Sequence, residues 1–482
     1  MLFSSPIFLF FFLPLVLSVY FLLWRKLRNY YLLLASLIFF AWGGVSYSIL
    51  LLVSITFNYL IGLGVGCSPG SRKSKLFLAS GVIMNILLLA IFKYADFVVE
   101  NINLLSGVLK FKPFGDPGII LPIGISFYTF HAMSYIIDVY RGVSKVQKNP
   151  FFLGLYITFF PQLIAGPILR YHDIAPQITG RKVTLEGFAY GIQRFVIGLG
   201  KKVLIANTMG TMADAAFGTD VSHLTGTLAW LGLITYALQI YFDFSGYSDM
   251  AIGLGKMFGF TFMENFNYPY TAQSIKEFWR KWHISLSTWF RDYLYVPLGG
   301  NRISKGRTYF NLIFVFFITG LWHGASWSFV IWGFLHGSFL ILERVFSKKF
   351  PEELWRPIQH MYTLFVVLIA WVLFRSSDIQ YAWQYYRAMF GFGANAAELN
   401  AFNKAFAVEF RIYFFIGLLS AAGIIRWINA VIQKKLDIIE SGFLWLTESY
   451  KILQVVFFAC VFIICSMALI TKTYNPFIYY RF

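Results

Sequence analysis

Residues 312–342 read LIFVFFITGLWHGASWSFVIWGFLHGSFLIL, an apolar run interrupted by two His-Gly pairs, His323-Gly324 and His336-Gly337. A hydrocarbon core needs about 20 predominantly apolar residues per helical span. Similar blocks recur at 6–23, 30–60, 76–91, 361–373, 412–425 and 455–470. Windows richer in Gly and polar residues, at 151–168, 187–203, 224–241 and 250–260, read as further spans. The pattern predicts an all-α, polytopic integral membrane protein with about eleven transmembrane helices in one unit covering 1–482. Composition agrees: 58% of the residues are hydrophobic and the mean hydropathy is +0.65, against about 45–50% apolar residues in soluble domains.

The first block does not read as a cleaved leader. No basic stretch precedes residues 3–20, and Trp24-Arg25-Lys26-Leu27-Arg28 follows them, as expected for a first span with a cytoplasmic positive flank. The net charge of +18 would suggest nucleic acid in a soluble protein. Here the Lys and Arg fall in short loops at 25–28, 72–75, 141–148 and 276–307, assigned to the cytoplasm by the positive-inside rule, so no nucleic-acid partner is expected. Residues 207–224 contain Asp214 and Asp220 and no Lys or Arg, and read as an outward-facing loop; 391–407 reads as another. Cys67, Cys460 and Cys465 form no disulfide or metal pattern.

Residues 271–307 carry seven basic and two acidic residues, interleaved with Trp279, Trp282, Trp289 and other aromatics. Such a stretch predicts a helix lying in the membrane interface, with its apolar face down and its cationic face up. It serves either as a topological anchor or as a cytoplasmic docking surface for an anionic ligand. In the second case Arg280, Lys281, Arg291 and Arg302 suit a phosphate-bearing cofactor and Trp282 suits stacking on an adenine.

Polar residues inside a bilayer carry the most information, because each needs a partner or a purpose. His323 lies 16 residues beyond Arg307, about 24 Å along a straight helix, past the midplane of the bilayer. It and His336 are open to three readings: a metal ligand, for which no third ligand is arranged; a packed structural histidine; or a general base, since neutral imidazole accepts a hydroxyl proton near pH 7. Asp243 and Asp249 lie among apolar residues in Tyr241-Phe242-Asp243-Phe244-Ser245-Gly246-Tyr247-Ser248-Asp249. Asp243 is a candidate to orient a histidine, and Asp249 to sit at a helix N-terminus after Ser248. Pro161, Gly166 and Pro167, and likewise Pro122 and Gly124, break apolar segments, which membrane proteins tolerate only around protein or a cavity. An internal chamber is therefore expected.

The segments LPIGISFYTFHAMSYIIDVYR (121–141), FPQLIAGP (160–167), FDFSGYSD (242–249) and residues 278–300, with the two His-Gly tracts and the C-terminal 475–482, resemble the membrane-bound O-acyltransferase (MBOAT) family. The likeness is to its bacterial AlgI-like branch, typified by the alginate O-acetylation protein, and it covers nearly the full length. One departure is His131, where relatives often carry Gln.

The resemblance implies a helical fold around a central tunnel, with His323 as the catalytic histidine and His336 as a second one. It implies an acetyltransferase of the bacterial cytoplasmic (inner) membrane, taking its acyl group from cytoplasmic acetyl-CoA and needing no metal. The group is passed outward to a cell-envelope or exported polysaccharide such as alginate, indirectly, through an extracytoplasmic SGNH-type O-acetyltransferase partner. The tail Phe477-Ile478-Tyr479-Tyr480-Arg481-Phe482 resembles the F-x-Y-x-x-F end of a small membrane peptide that partners D-alanine-transferring relatives. Tyr479 is accordingly a candidate acyl carrier, or else part of an aromatic anchor in the interface. A polytopic flippase of a lipid-linked glycan, without covalent chemistry, is the alternative; it would have no evident need for the paired His-Gly tracts beside a basic aromatic patch.

Overall fold

The computed structural model describes residues 1–482 except 111, 347–353, 394–406, 440–443, 473 and 477–482. Every regular element among the described residues is helical. Five helices are long and apolar enough to cross a bilayer: Val45–Cys67, Arg72–Leu104, Trp327–Val345, Arg356–Arg375 and Glu448–Thr471. Val408–Ala421 and Ile424–Ile432, bent by 70° at a short break, make a sixth if taken as one span.

The expected eleven spans are not confirmed, for two physical reasons. The 30–60 block is two helices, Arg28–Ala41 and Val45–Cys67, separated at Gly44, whose φ of +141° suits glycine. In addition, helices wrapped by other helices need no apolar surface. Gly226–Met257 runs for 32 residues, most of them buried, and carries Asp243 and Asp249 inside.

Glycine lets that central helix be enclosed tightly. It crosses Leu185–Gly200 where Gly198 faces Gly246; a Cβ on Gly198 would lie 2.5 Å from the Gly246 carbonyl oxygen, and one on Gly246 would lie 2.7 Å from that of Gly198. Small residues at such crossings let backbones approach closely. Lys305–His323 and Trp327–Val345 meet in the same way, through Gly320 and Gly333.

Two local expectations are corrected. Residues 207–224 are mostly helix, Asn207–Phe217, not a loop. Asp214 there pairs with Arg375 at 2.6 Å, so its neutralising cation comes from far along the chain. Asp249 lies in mid-helix rather than at an N-terminus, held by Arg194 at 2.7 Å and Lys201 at 2.6 Å.

Segment 271–307 is also not one interfacial helix. It is cut into Ile275–Lys281, Ile284–Phe290 and a turn at Arg291–Tyr295, and Phe278, Trp279, Trp282, Trp289, Phe290 and Tyr293 are all buried. The aromatics pack against the protein, leaving mainly the cations outside. Glu343 clamps the segment to the His336 helix by accepting the Ile275 and Lys276 amides at 2.6 and 3.0 Å. A carboxylate at a helix N-terminus is well placed for the dipole.

Candidate active site

The Lys305–His323 helix starts at Ser304, whose side chain accepts the Arg307 amide, and stops at His323 because Gly324 is extended. Its last carbonyls therefore lack helical donors. Tyr94 donates to the Leu321 carbonyl at 2.7 Å, and the Lys93 ammonium donates to the carbonyls of Trp322 and, at 3.3 Å, of His323. A cation at a helix C-terminus is electrostatically favoured.

The imidazole of His323 is buried at 5% exposure, with the rings of Trp322, Trp332 and Phe374 edge-on at 4.9, 5.0 and 5.0 Å. Among the described residues nothing hydrogen-bonds its nitrogens. It lines a cavity of about 130 Å³ together with Lys93, Trp322, Ile164 and residues 121–127. The expected chamber thus lies where Pro122 and Gly124 interrupt the helical chain.

His336 is fully buried, and its Nδ1 accepts from the Trp279 indole at 3.3 Å. Trp332 packs edge-on against both histidines, at 5.0 Å from His323 and 4.9 Å from His336. His336 does not line the cavity. Its Nδ1 ties its helix to the basic segment, while its Nε2 has no partner among the described residues.

The sequence reading passed over His283. It is fully buried, sits at φ +43°, and hydrogen-bonds Asn265 through Nδ1 at 3.2 Å. Its Nε2 has no partner among the described residues, and its ring lies 6.0 Å from that of Trp322. Strained backbone and an orphaned nitrogen together mark functional positions more often than structural ones. The left-handed turn, flanked by two short helices, left no periodic signal.

Asp243 holds a cation: it pairs with Lys202 at 2.7 Å, each side chain 2% exposed. Lys202 also donates to the Pro476 carbonyl. The tail is fixed here, with Tyr474 on Asp214 at 2.6 Å and Asn475 on Ser4 and Asn207 at 2.8 and 3.2 Å. Tyr479 lies outside the described residues.

The expected donor-binding residues divide. Arg280 and Arg302 are exposed and make no close ion pair among the described residues, although, against burial, Arg280 with Lys281 helps hold the Glu277 carboxyl below its ordinary value. Arg291 pairs with Asp292 at 2.7 Å, and Lys281 with Glu277 at 2.7 Å. Burial would raise the Asp292 carboxyl, but Arg291 and Arg170 outweigh it and hold it below its ordinary value. Trp282 is the correction: it is buried against Phe278 and Trp371, ring centroids 5.6 and 5.0 Å away, so no adenine reaches its face. Among the described residues no His, Cys, Asp and Glu cluster could hold a metal ion.

The described residues thus form a helical, multi-span protein with an imidazole at a cavity wall that has no hydrogen-bond partner among them. Residues 114–394 match the MBOAT, membrane-bound O-acyltransferase family, and the chain belongs to it. It is 48% identical over 405 residues to the probable alginate O-acetylase AlgI of Pseudomonas aeruginosa, covering 84% of this chain and 78% of that one. It is 41% identical to the protein of the same name in Pseudomonas putida over the whole of both chains. The peptidoglycan O-acetyltransferase of Helicobacter pylori is 39% identical over 426 residues, 81% of this chain and 80% of its own. The protein is thus a multi-pass membrane O-acyltransferase.

Proposed function

We propose that this enzyme draws an acetyl group from acetyl-CoA at its basic face and transfers it, with His323 as general base, toward a hydroxyl that ends on an exported or cell-envelope polysaccharide. The observation that carries this reading is the buried His323 imidazole, without a hydrogen-bond partner among the described residues, at the wall of a cavity. Relatives named for alginate and peptidoglycan acetylation support a polysaccharide as the final acceptor. The bacterial inner membrane is the compartment such chemistry requires. An extracytoplasmic SGNH-type transferase, completing the transfer to the polymer, is part of the same proposal.

Arg280 and Arg302 fit the donor's phosphates, being exposed cations that make no close ion pair among the described residues. Replacing both by Ala is expected to raise KM for acetyl-CoA by about tenfold, as for two lost charge-assisted contacts, and to leave kcat within twofold. Steady-state kinetics in proteoliposomes checks this; an unchanged KM at low salt removes both from the donor site.

Tyr479 is proposed as the first acceptor of the acetyl group. The support is that residues 474–476, just ahead of it, enter the fold beside the buried Lys202–Asp243 pair. Tyr479→Phe is expected to abolish polymer acetylation, and mass spectrometry of the wild-type C-terminal peptide to find acetyl on Tyr479. An active Tyr479→Phe variant ends the idea of a carrier.

A further inference from the structure

Lys93 places an amine within an otherwise apolar helix. It sits 21 residues into the Arg72–Leu104 helix, about 32 Å from its basic start, where the helix widens into a π turn at Ala90–Tyr94. Such bulges often mark functional positions. The helices Lys305–His323 and Ile125–Tyr140 likewise have one end at a basic loop and the other at this cavity.

We propose that Lys93, with the first turn of the Ile125–Tyr140 helix, forms the anion-stabilising wall of the pocket that His323 faces. The inference rests on the acyl-transfer reading. An ammonium has three N–H donors. Two go to the carbonyls of Trp322 and His323, and among the described residues the third has no acceptor. The ammonium lines the same cavity as His323.

The facing wall is the N-terminal turn of a 16-residue helix. There the Ile125 and Phe127 amides bond to the Pro122 and Gly124 carbonyls, while the Ser126 amide has no acceptor among the described residues. A helix N-terminus carries partial positive charge. No carboxylate lines the cavity. An ammonium and a helix N-terminus without a counter-anion, beside an unpartnered base that is 95% buried, are arranged to receive negative charge generated during reaction.

The step that generates such charge is attack on the thioester. The acceptor hydroxyl oxygen bonds to the acyl carbon while His323 takes its proton, and the carbonyl π electrons move onto oxygen. That oxyanion lies against Lys93 and the helix turn. On collapse the carbonyl reforms and the C–S bond breaks. The sulfur leaves with the bonding pair and receives the proton from His323. Donors aimed at a developing oxyanion in a dry site contribute about 10²–10³ in rate.

The test measures kinetics with acetyl-CoA and denaturation midpoints for Lys93→Met, Lys93→Gln and Lys93→Arg, with His323→Ala as control, in full-length protein in proteoliposomes. Met and Gln are expected to lower kcat by about 10²-fold or more with KM for acetyl-CoA within twofold, and Arg to recover at least tenfold over Met. A pure helix cap gives a different pattern, because Gln donates to the same carbonyls and would restore both the midpoint and kcat. Should Met not fold, Gln and Arg decide. Wild-type kcat in Lys93→Gln, with His323→Ala inactive, overturns the role of Lys93 alone. A His323→Ala enzyme that runs at the wild-type rate overturns the acyl-transfer reading beneath it.

Discussion

His323→Ala loses acetyl transfer by at least 10²–10⁴-fold, the range typical of a deleted general base, while the protein still inserts and purifies as a folded species. The expectation of folding follows from its surroundings. The imidazole contributes no hydrogen bond among the described residues and already borders open volume, so its removal enlarges a cavity without orphaning a buried partner. His323→Gln, closer in size, is expected to fold as well and to remain inactive, since an amide cannot accept a proton. Acetyl incorporation in membranes and size-exclusion profiles of the purified variants check both halves. Activity within tenfold of wild type in either variant would remove His323 from the chemistry.

The second large effect falls on stability. Lys202 and Asp243 are each 2% exposed and 2.7 Å apart. Removing one partner leaves an uncompensated buried charge, which costs about 3–5 kcal/mol. Lys202→Met and Asp243→Leu are each expected to cut folded yield severely, and the double variant Lys202→Met/Asp243→Leu to recover much of it, because apolar replacement of a whole buried pair is often tolerated. Thermal melts in detergent measure this. Asp243→Asn separates a structural role from a catalytic one: a low midpoint with activity proportional to folded protein places Asp243 in the scaffold, whereas a normal midpoint without activity returns it to the chemistry.

His323 and Asp243 show what the sequence could and could not disclose. His323 stood out because a polar ring in apolar sequence needs a reason to be there, and Pro122 and Gly124 pointed to the chamber because broken backbone needs one too. Asp243 stood out equally, but its partner lies 41 residues earlier, and nothing local distinguishes an aspartate awaiting a lysine from one awaiting a histidine. Ser248 suggests a helix N-terminus at Asp249, yet the helix runs on through both, and Gly246 beside them meets another helix. The glycine is there for a helix crossing, a tertiary cause that local propensity cannot express. The aromatics at 278–293 were read as facing lipid or ligand, since sequence cannot say which side a covering element occupies. His283 lies within that same segment, and Lys93, two residues past the 76–91 block, carries no local sign of where its side chain goes. The number of spans is not confirmed for a related reason: hydropathy detects contact with lipid, and a helix such as Gly226–Met257 is enclosed by other helices.

The anchoring of the tail bears on how the molecule is assembled. A membrane chain is threaded into the bilayer in order, so Lys202 and Asp243 are in place long before residues 474–476 are made. Until then the lysine lacks the Pro476 carbonyl, and Ser4 and Asn207 lack Asn475. The early helices are therefore short of these partners until the tail docks, which makes docking a late checkpoint of assembly. Truncation ahead of residue 474 should therefore yield a protein that inserts with every span present and yet is cleared by membrane quality control.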